Sequence, residues 1–252
     1  MKKIFILFTV CSSFLKSAKS QKTEEVIIAA ASDLKFALDS VIIVFKKSNA
    51  DADIKVTYGS SGQFFTQIQN SAPFDIYFSA DIQYPQLLKE KGLTLMDAKI
   101  YGIGRIVIWS NKLDPNQKQL NSLMEPSISK IAIANPEHAP YGKRAIESLN
   151  YYKIYDKVKD KFVFGENIAQ TAQFVTTGSA DIGIIALSLA LSPNMQKLGG
   201  KYFIISEKSH QPLEQGYVIT KHGENNMLVK KFYDFVSSEK AVAILSRYGF
   251  TQ

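Results

Sequence analysis

The sequence predicts an α/β fold, with mostly parallel sheets covered by helices on both faces. Two observations carry this. Short β-branched runs bounded by turn residues recur along the 252 residues, and amphipathic helical patterns alternate with most of them. A third observation bears on organisation: no internal repeat, low-complexity tract or disordered linker is visible, so any division into lobes must use short ordered crossings.

In chain order, residues 26–31, 54–58 and 75–79 read as the first strands. Between the first two, residues 33–47 place Leu34, Ala37, Leu38, Val41, Ile42 and Phe45 at three-and-four spacing, the mark of a helix with one buried face. Residues 63–69 repeat that pattern. The middle of the chain supplies strands at 105–109, 130–134, 161–164, 181–186 and 202–205, with helical faces at 143–149 and 168–176. A strand at 217–220 and a helix at 228–236 complete the alternation. The polar stretches 96–104 and 207–215 are the candidate crossings. If both cross, residues 21–101 with 214–252 form lobe I, 102–206 form lobe II, and 207–213 make the second crossing. A mature chain of 232 residues, 21–252, suits one large domain or two ordinary lobes equally well.

Residues 1–20 have the layout of a cleavable secretory signal: Lys2 and Lys3, an apolar run over 4–15, then Ala18-Lys19-Ser20. The run is too short to span a bilayer, and no later segment reaches the roughly 18 apolar residues a membrane helix needs. The expected mature protein is soluble, exported and free of cysteine, since the only one, Cys11, lies in the signal. Lipidation at Cys11 is the lesser alternative, because Phe8-Thr9-Val10 lacks the small residue such processing wants beside the cysteine. The formal charge of +7 falls to +3 on cleavage, as four of the 30 bases and none of the 23 acids leave. Lys and Arg are scattered with no stacking aromatics between them, which argues against nucleic acid.

Four places end a strand in small or polar residues and start a helix at once: Ala31-Ser32-Asp33, Gly59-Ser60-Ser61-Gly62, Pro140-Tyr141-Gly142 and Glu166-Asn167-Ile168. A helix start offers unpaired N–H groups and the positive dipole end, which suits an anion. In open sheets ligands gather at the carboxyl ends of strands, where four such turns can converge. The ordinary reading of any one turn is an N-cap contributing about 1 kcal/mol. The serine pair between two glycines is the turn that asks for more, since glycine admits close approach and hydroxyls donate without fixed charge. Nucleophile, metal and nucleotide motifs do not match: Gly59-Ser60-Ser61-Gly62 is no G-x-S-x-G elbow, and His138, His210 and His222 sit in polar, loop-like contexts. A serine-nucleophile enzyme stays open as the competing class. Asp33, Asp75, Asp81 and Asp181 read as caps and turn formers; Phe64-Phe65, Tyr151-Tyr152 and Trp109 read as packing residues.

Ala29-Ala30-Ala31-Ser32, Tyr58-Gly59-Ser60-Ser61-Gly62, the run from Pro73 to Asp81, the run from Asn135 to Gly142 and the ending Arg247-Tyr248-Gly249-Phe250 together resemble the periplasmic molybdate-binding proteins of ABC transporters. The resemblance runs in order from Val26 to the end. It implies a two-lobed, type II periplasmic-binding fold that closes on molybdate or tungstate and delivers it to an inner-membrane permease. It also implies a periplasmic monomer that is no enzyme and has no cofactor; sulfate and phosphate remain alternative ions. By position, Ser32 and Ser61 match hydroxyl contacts from one lobe, and Tyr141 and Ile168 match backbone N–H contacts from the other. The family's tyrosine donor falls at Ala186, which lacks the phenol; the Ala186 backbone, Ser188 or the Tyr141 phenol are the candidate substitutes. Asp33 is expected to face the ion through its N–H and to cap its helix outward.

Overall fold

The computed structural model describes residues 25–252. The secretory signal, its cleavage near Ser20 and Cys11 lie outside the described residues. The chain begins with β1 (Glu25–Ala31), a 3-10 turn (Ser32–Leu34) and α1 (Lys35–Lys46). It continues through β2 (Asp53–Gly59), α2 (Ser61–Gln69), β3 (Ile76–Ser79), α3 (Gln83–Glu90), β4 (Lys99–Gly104) and β5 (Ile106–Ser110). There follow β6 (Ile131–Ala134), α4 (Pro140–Tyr151), α5 (Tyr155–Val158), β7 (Phe162–Gly165), α6 (Ile168–Thr176) and β8 (Ile182–Ala186). The last elements are α7 (Leu187–Ala190), α8 (Pro193–Lys197), β9 (Lys201–Ile204), β10 (Leu213–Ile219), α9 (Met227–Val236) and α10 (Glu239–Arg247).

The strands form two five-stranded sheets, β2-β1-β3-β10-β4 and β7-β6-β8-β5-β9, one to each lobe. Each sheet pairs parallel at one side and antiparallel at the other, where β10 and β5 enter. Both faces of the first sheet are covered. Val26, Ile28 and Ala30 of β1 point into the core under α1, α9 and α10, whereas Ala29 packs with Phe64, Tyr77 and Leu88 on the other side. That two-residue alternation is why the central strands β1 and β3 are apolar on both faces. Helices follow their apolar faces: α1 buries Ala37, Leu38, Val41, Ile42 and Phe45, and α9 buries Leu228, Val229, Phe232, Tyr233 and Val236 behind an Asn226 cap.

Two expectations need correction. The 96–104 stretch is no crossing but contains β4, an edge strand bonded to β10, and the passage between sheets is reduced to Arg105. Edge strands are often short, polar or glycine-bearing, and β4, with Lys99, Gly102 and Gly104, gives little pattern to detect. Tyr151 and Tyr152 are exposed, stacked edge-on against each other at the end of α4, while Phe64 and Trp109 are buried as expected. Among the described residues no helix is long and apolar enough to cross a membrane.

Candidate functional site

The four strand-to-helix turns meet between the lobes. Ser32 and Asp33 after β1 and Ser60 and Ser61 after β2 come from the first lobe; Pro140, Tyr141 and Ile168 come from the second. With Ala31, Gly59, Ala80 and Ala139 they line a cavity of about 10 Å³, roughly the room one water-sized sphere occupies. A compact ion needs only slight parting of the walls, whereas a sugar ring or peptide needs the lobes far apart. No basic side chain lines the cavity. Its polar groups are the hydroxyls of Ser32, Ser60 and Ser61, the carboxyl of Asp33 and amides in the first turns of α2, α4 and α6, which no carbonyl of the same helix can reach.

Ser61 is buried, and its Oγ accepts the Ala80 amide at 3.0 Å. Oriented from that side, its own hydrogen is left to donate inward. The Tyr77 phenol holds the Ser61 carbonyl at 2.7 Å, so the turn is braced by the strand beside it. Ser32 spans the cleft: its hydroxyl donates to Asn167 Oδ1 at 3.1 Å and accepts the Ala169 amide at 3.2 Å. Asn167 Oδ1 also caps α6, accepting the amides of Ala169 and Gln170. Rotation about the Ser32 Cα–Cβ bond is therefore needed before that hydroxyl can serve an ion in the cavity.

A second seam closes the lobes beside the cavity. The carbonyl of His138 accepts both the Ser60 hydroxyl, at 2.5 Å, and the Gly62 amide, at 2.9 Å. A Cβ at Gly62 would stand 2.8 Å from that carbonyl oxygen, so glycine is what admits this approach. The His138 ring Nδ1 lies 2.9 Å from Ser60 Oγ, and its Nε2 lies 3.5 Å from Glu166, which also accepts Gln63 at 3.1 Å. This has the outline of a serine-histidine-acid set. The serine hydrogen, however, is committed to the His138 carbonyl, which leaves Nδ1 to donate and the ring unable to act as base toward Ser60.

Asp33 departs most from expectation. Its side chain does not cap the helix outward but is buried between the lobes. Oδ2 accepts the Tyr141 phenol at 3.0 Å, that phenol accepts Gln215 Nε2 at 2.9 Å, and Tyr101 donates to Gln215 Oε1 at 2.5 Å. The Asp33 carbonyl accepts the Ser188 hydroxyl at 2.8 Å. Burial, only partly offset by the hydrogen bonds from Tyr141 and Gln215, pushes the carboxyl up to about 7.

Of the five residues singled out from sequence, the structure brings Ser32, Ser61, Tyr141 and Ile168 to one cavity, and Ala186 is not in its wall. Ala186 ends β8, fully buried and paired with Ile106, and the next amide is tied to Arg105. That pairing holds it inside the second sheet. Ser188 and the Tyr141 phenol, the candidate substitutes for the missing phenol, are both bonded to Asp33. Sequence reasoning missed the Asp33-Tyr141-Gln215-Tyr101 chain and the His138 seam. Nothing in local spacing joins positions separated by 74 to 114 residues; the one available signal was an acid set in an otherwise apolar run, Ala29-Ala30-Ala31-Ser32-Asp33-Leu34.

The geometry agrees with comparisons to known proteins. The molybdate-binding protein ModA of Azotobacter vinelandii is 31% identical over 234 residues, covering 92% of each chain. ModA of Rhodobacter capsulatus is 30% identical over 228 residues, covering 90% of this chain and 88% of its own. The solved structure of the Azotobacter vinelandii periplasmic molybdate-binding protein superposes with a TM-score of 0.82 at 28% identity, covering 90% of this chain and 99% of its own. Two mixed sheets, a cleft walled by helix starts and a family model matching residues 26–251 lead to one conclusion: the chain belongs to the bacterial extracellular solute-binding proteins.

Proposed function

We propose that this protein captures molybdate or tungstate outside the cytoplasm and delivers it to the permease of an ABC transporter. One observation carries the reading: four helix starts from two lobes converge on a small cavity that has hydroxyl and amide donors and no basic side chain. Such a wall suits a small, fully ionised oxyanion, and the names of the relatives make molybdate the first ion to test. Ser61 and, after rotation, Ser32 donate hydroxyls, and Tyr141 and Ile168 donate amides, all to oxygens of the ion and none to its metal. A five-atom ion at the ceiling of about −1.5 kcal/mol per atom reaches only about −7.5 kcal/mol, near micromolar. Charge-assisted bonds of roughly 1.5–3 kcal/mol each, in a closed cleft, supply tighter binding.

Neutral donors release their cargo when the lobes part, about a hinge at Arg105 and in the segment between β9 and β10. We read residues 1–20 as the export signal, which leaves a monomeric periplasmic protein; anchoring through Cys11 is the other form. The test is a calorimetric series with molybdate, tungstate, sulfate and phosphate, paired with melting curves. Micromolar or tighter binding of molybdate or tungstate, with a raised melting temperature, is expected. Binding of sulfate, phosphate or an organic anion alone overturns the choice of ion. Hydrolysis of a simple ester, abolished by Ser60→Ala, would instead make the Ser60-His138-Glu166 set an enzyme's.

A further inference from the structure

We propose that Asp33 holds the bound ion as a neutral acid, so that a fully deprotonated oxyanion entering the cleft brings up to one proton from solvent onto the protein. This rests on the oxyanion reading above and adds to it a residue that sets how affinity depends on pH.

The geometry carries the argument. Asp33 is 1% exposed and lines the cavity. Its Oδ2 is taken by the Tyr141 phenol, while Oδ1 is buried with no hydrogen-bond partner. An oxygen of this kind is costly as half of a carboxylate and useful as a hydroxyl, because a protonated carboxyl gains one donor and keeps its acceptor. The proton belongs on Oδ1, since Oδ2 already receives one from Tyr141. With no basic side chain in the wall, a dianion beside an ionised Asp33 would place three negative charges together in a poorly solvated cleft. Taking up a proton removes one of them and supplies a further donor for an ion oxygen, as other buried neutral carboxyls do in oxyanion sites.

The other titratable groups around the cleft are already engaged: the His138 ring lies between Ser60 and Glu166, and Arg105 pairs with Glu207. The phenols of Tyr141 and Tyr101, which face Asp33, are both pushed far above their usual range, chiefly by burial and then by Asp33 itself, so neither ionises. Helices α6 and α7 carry no charged residue. On α4, Arg144 is engaged with Glu147 at 2.7 Å and Asp81 at 3.5 Å, and Lys143 lies over the Tyr84 ring. On α1, Lys35 is exposed and Asp39 accepts the Tyr58 phenol. On the strands, Lys99 pairs with Asp234 and Glu214 is exposed. Burial, net of the hydrogen bonds that oppose it, already brings Asp33 to about 7 before any anion is present, which puts the proton within reach at neutral pH.

The test is calorimetry of the mature protein with molybdate from pH 6 to 9, each pH run in buffers of different ionisation enthalpy. Molybdate itself stays unprotonated over this range. Uptake of about half a proton per ion at pH 7, rising to about one at pH 8.5, is expected, with Kd weakening about tenfold per pH unit above 7. In Asp33→Asn, proton uptake disappears and Kd becomes flat, so that at pH 9 the variant binds at least about tenfold more tightly than the natural chain. The natural chain alone decides the matter if that variant misfolds. Molybdate bound with no proton uptake and constant Kd overturns the role of Asp33 and leaves the oxyanion reading standing; uptake that persists in Asp33→Asn overturns it equally. Failure of every oxyanion to bind at pH 6 overturns the oxyanion reading, and this inference with it.

Discussion

Replacing Ser61 with Ala separates what one hydroxyl does for the ion from what it does for the fold. Ser61 Oγ accepts the buried Ala80 amide at 3.0 Å, and its hydrogen is left for the cavity. Removing the oxygen deletes one charge-assisted bond to the ion, worth roughly 1.5–3 kcal/mol, so the molybdate Kd should rise about 10- to 150-fold. It also orphans the Ala80 N–H, at a cost to stability of about 1–3 kcal/mol. For a chain of this size each kcal/mol lowers the melting temperature by roughly 2–4 °C, so a fall of roughly 2–12 °C is expected. Calorimetry reads the first effect and a melting curve without ion reads the second. A lowered melting temperature with unchanged Kd would refute the reasoning, because Ser61 would then be only a brace for Ala80.

Gly62→Ala places a methyl 2.8 Å from the His138 carbonyl oxygen, which cannot swing aside as a side chain would. The closed form is expected to lose about 1–3 kcal/mol, weakening molybdate binding by roughly 5- to 150-fold while the circular dichroism of each lobe is unchanged. Asn167→Ala removes the cap of α6 and the acceptor of Ser32, and should cost at least about 1 kcal/mol in a melting experiment. Asp181 is held well below the usual carboxylate range, first by Lys112 and then by the amides of Lys130 and Ser129 and the Ser129 hydroxyl. A depressed carboxyl stabilises above its unfolded value, near 4, and loses that contribution as pH falls further. Asp181→Asn should therefore melt at a lower temperature than the natural chain at pH 7, with the gap narrowing below pH 4. Asp33 has the opposite sign. Its carboxyl is raised from 3.8 to about 7, so as pH rises from 4 to 7 the unfolded chain ionises there while the folded one does not, and the fold forfeits up to about 4 kcal/mol; without ion, Asp33→Asn should be the more stable protein at pH 8.

Much of this was legible in the chain. Periodicity alone placed nine of the strands and the faces of α1, α6 and α9, because a strand buried on both sides must be apolar and a packed helix must carry a stripe. It missed β4, whose glycines and Lys99 break the pattern, the short helices α3, α5, α7 and α8, and α10, whose apolar set Ala241, Ile244 and Leu245 is spaced among charges. The four helix starts could be recognised one by one, since capping and glycine turns are local chemistry.

What no local reading reaches is which side chain meets which across the cleft. Ser32 with Asn167, Gly62 with His138 and Asp33 with Tyr141 are made by two sheets folding toward each other. The sequence by itself determined the alternation of elements and a set of donors able to hold an anion, because those depend on neighbours a few residues apart. Only the tertiary structure decided that Ala186 stands outside the cavity wall and that Asp33 turns inward. Burial in a closed seam, and not the identity of the residue, is what turns an ordinary helix-start aspartate into a proton-binding group.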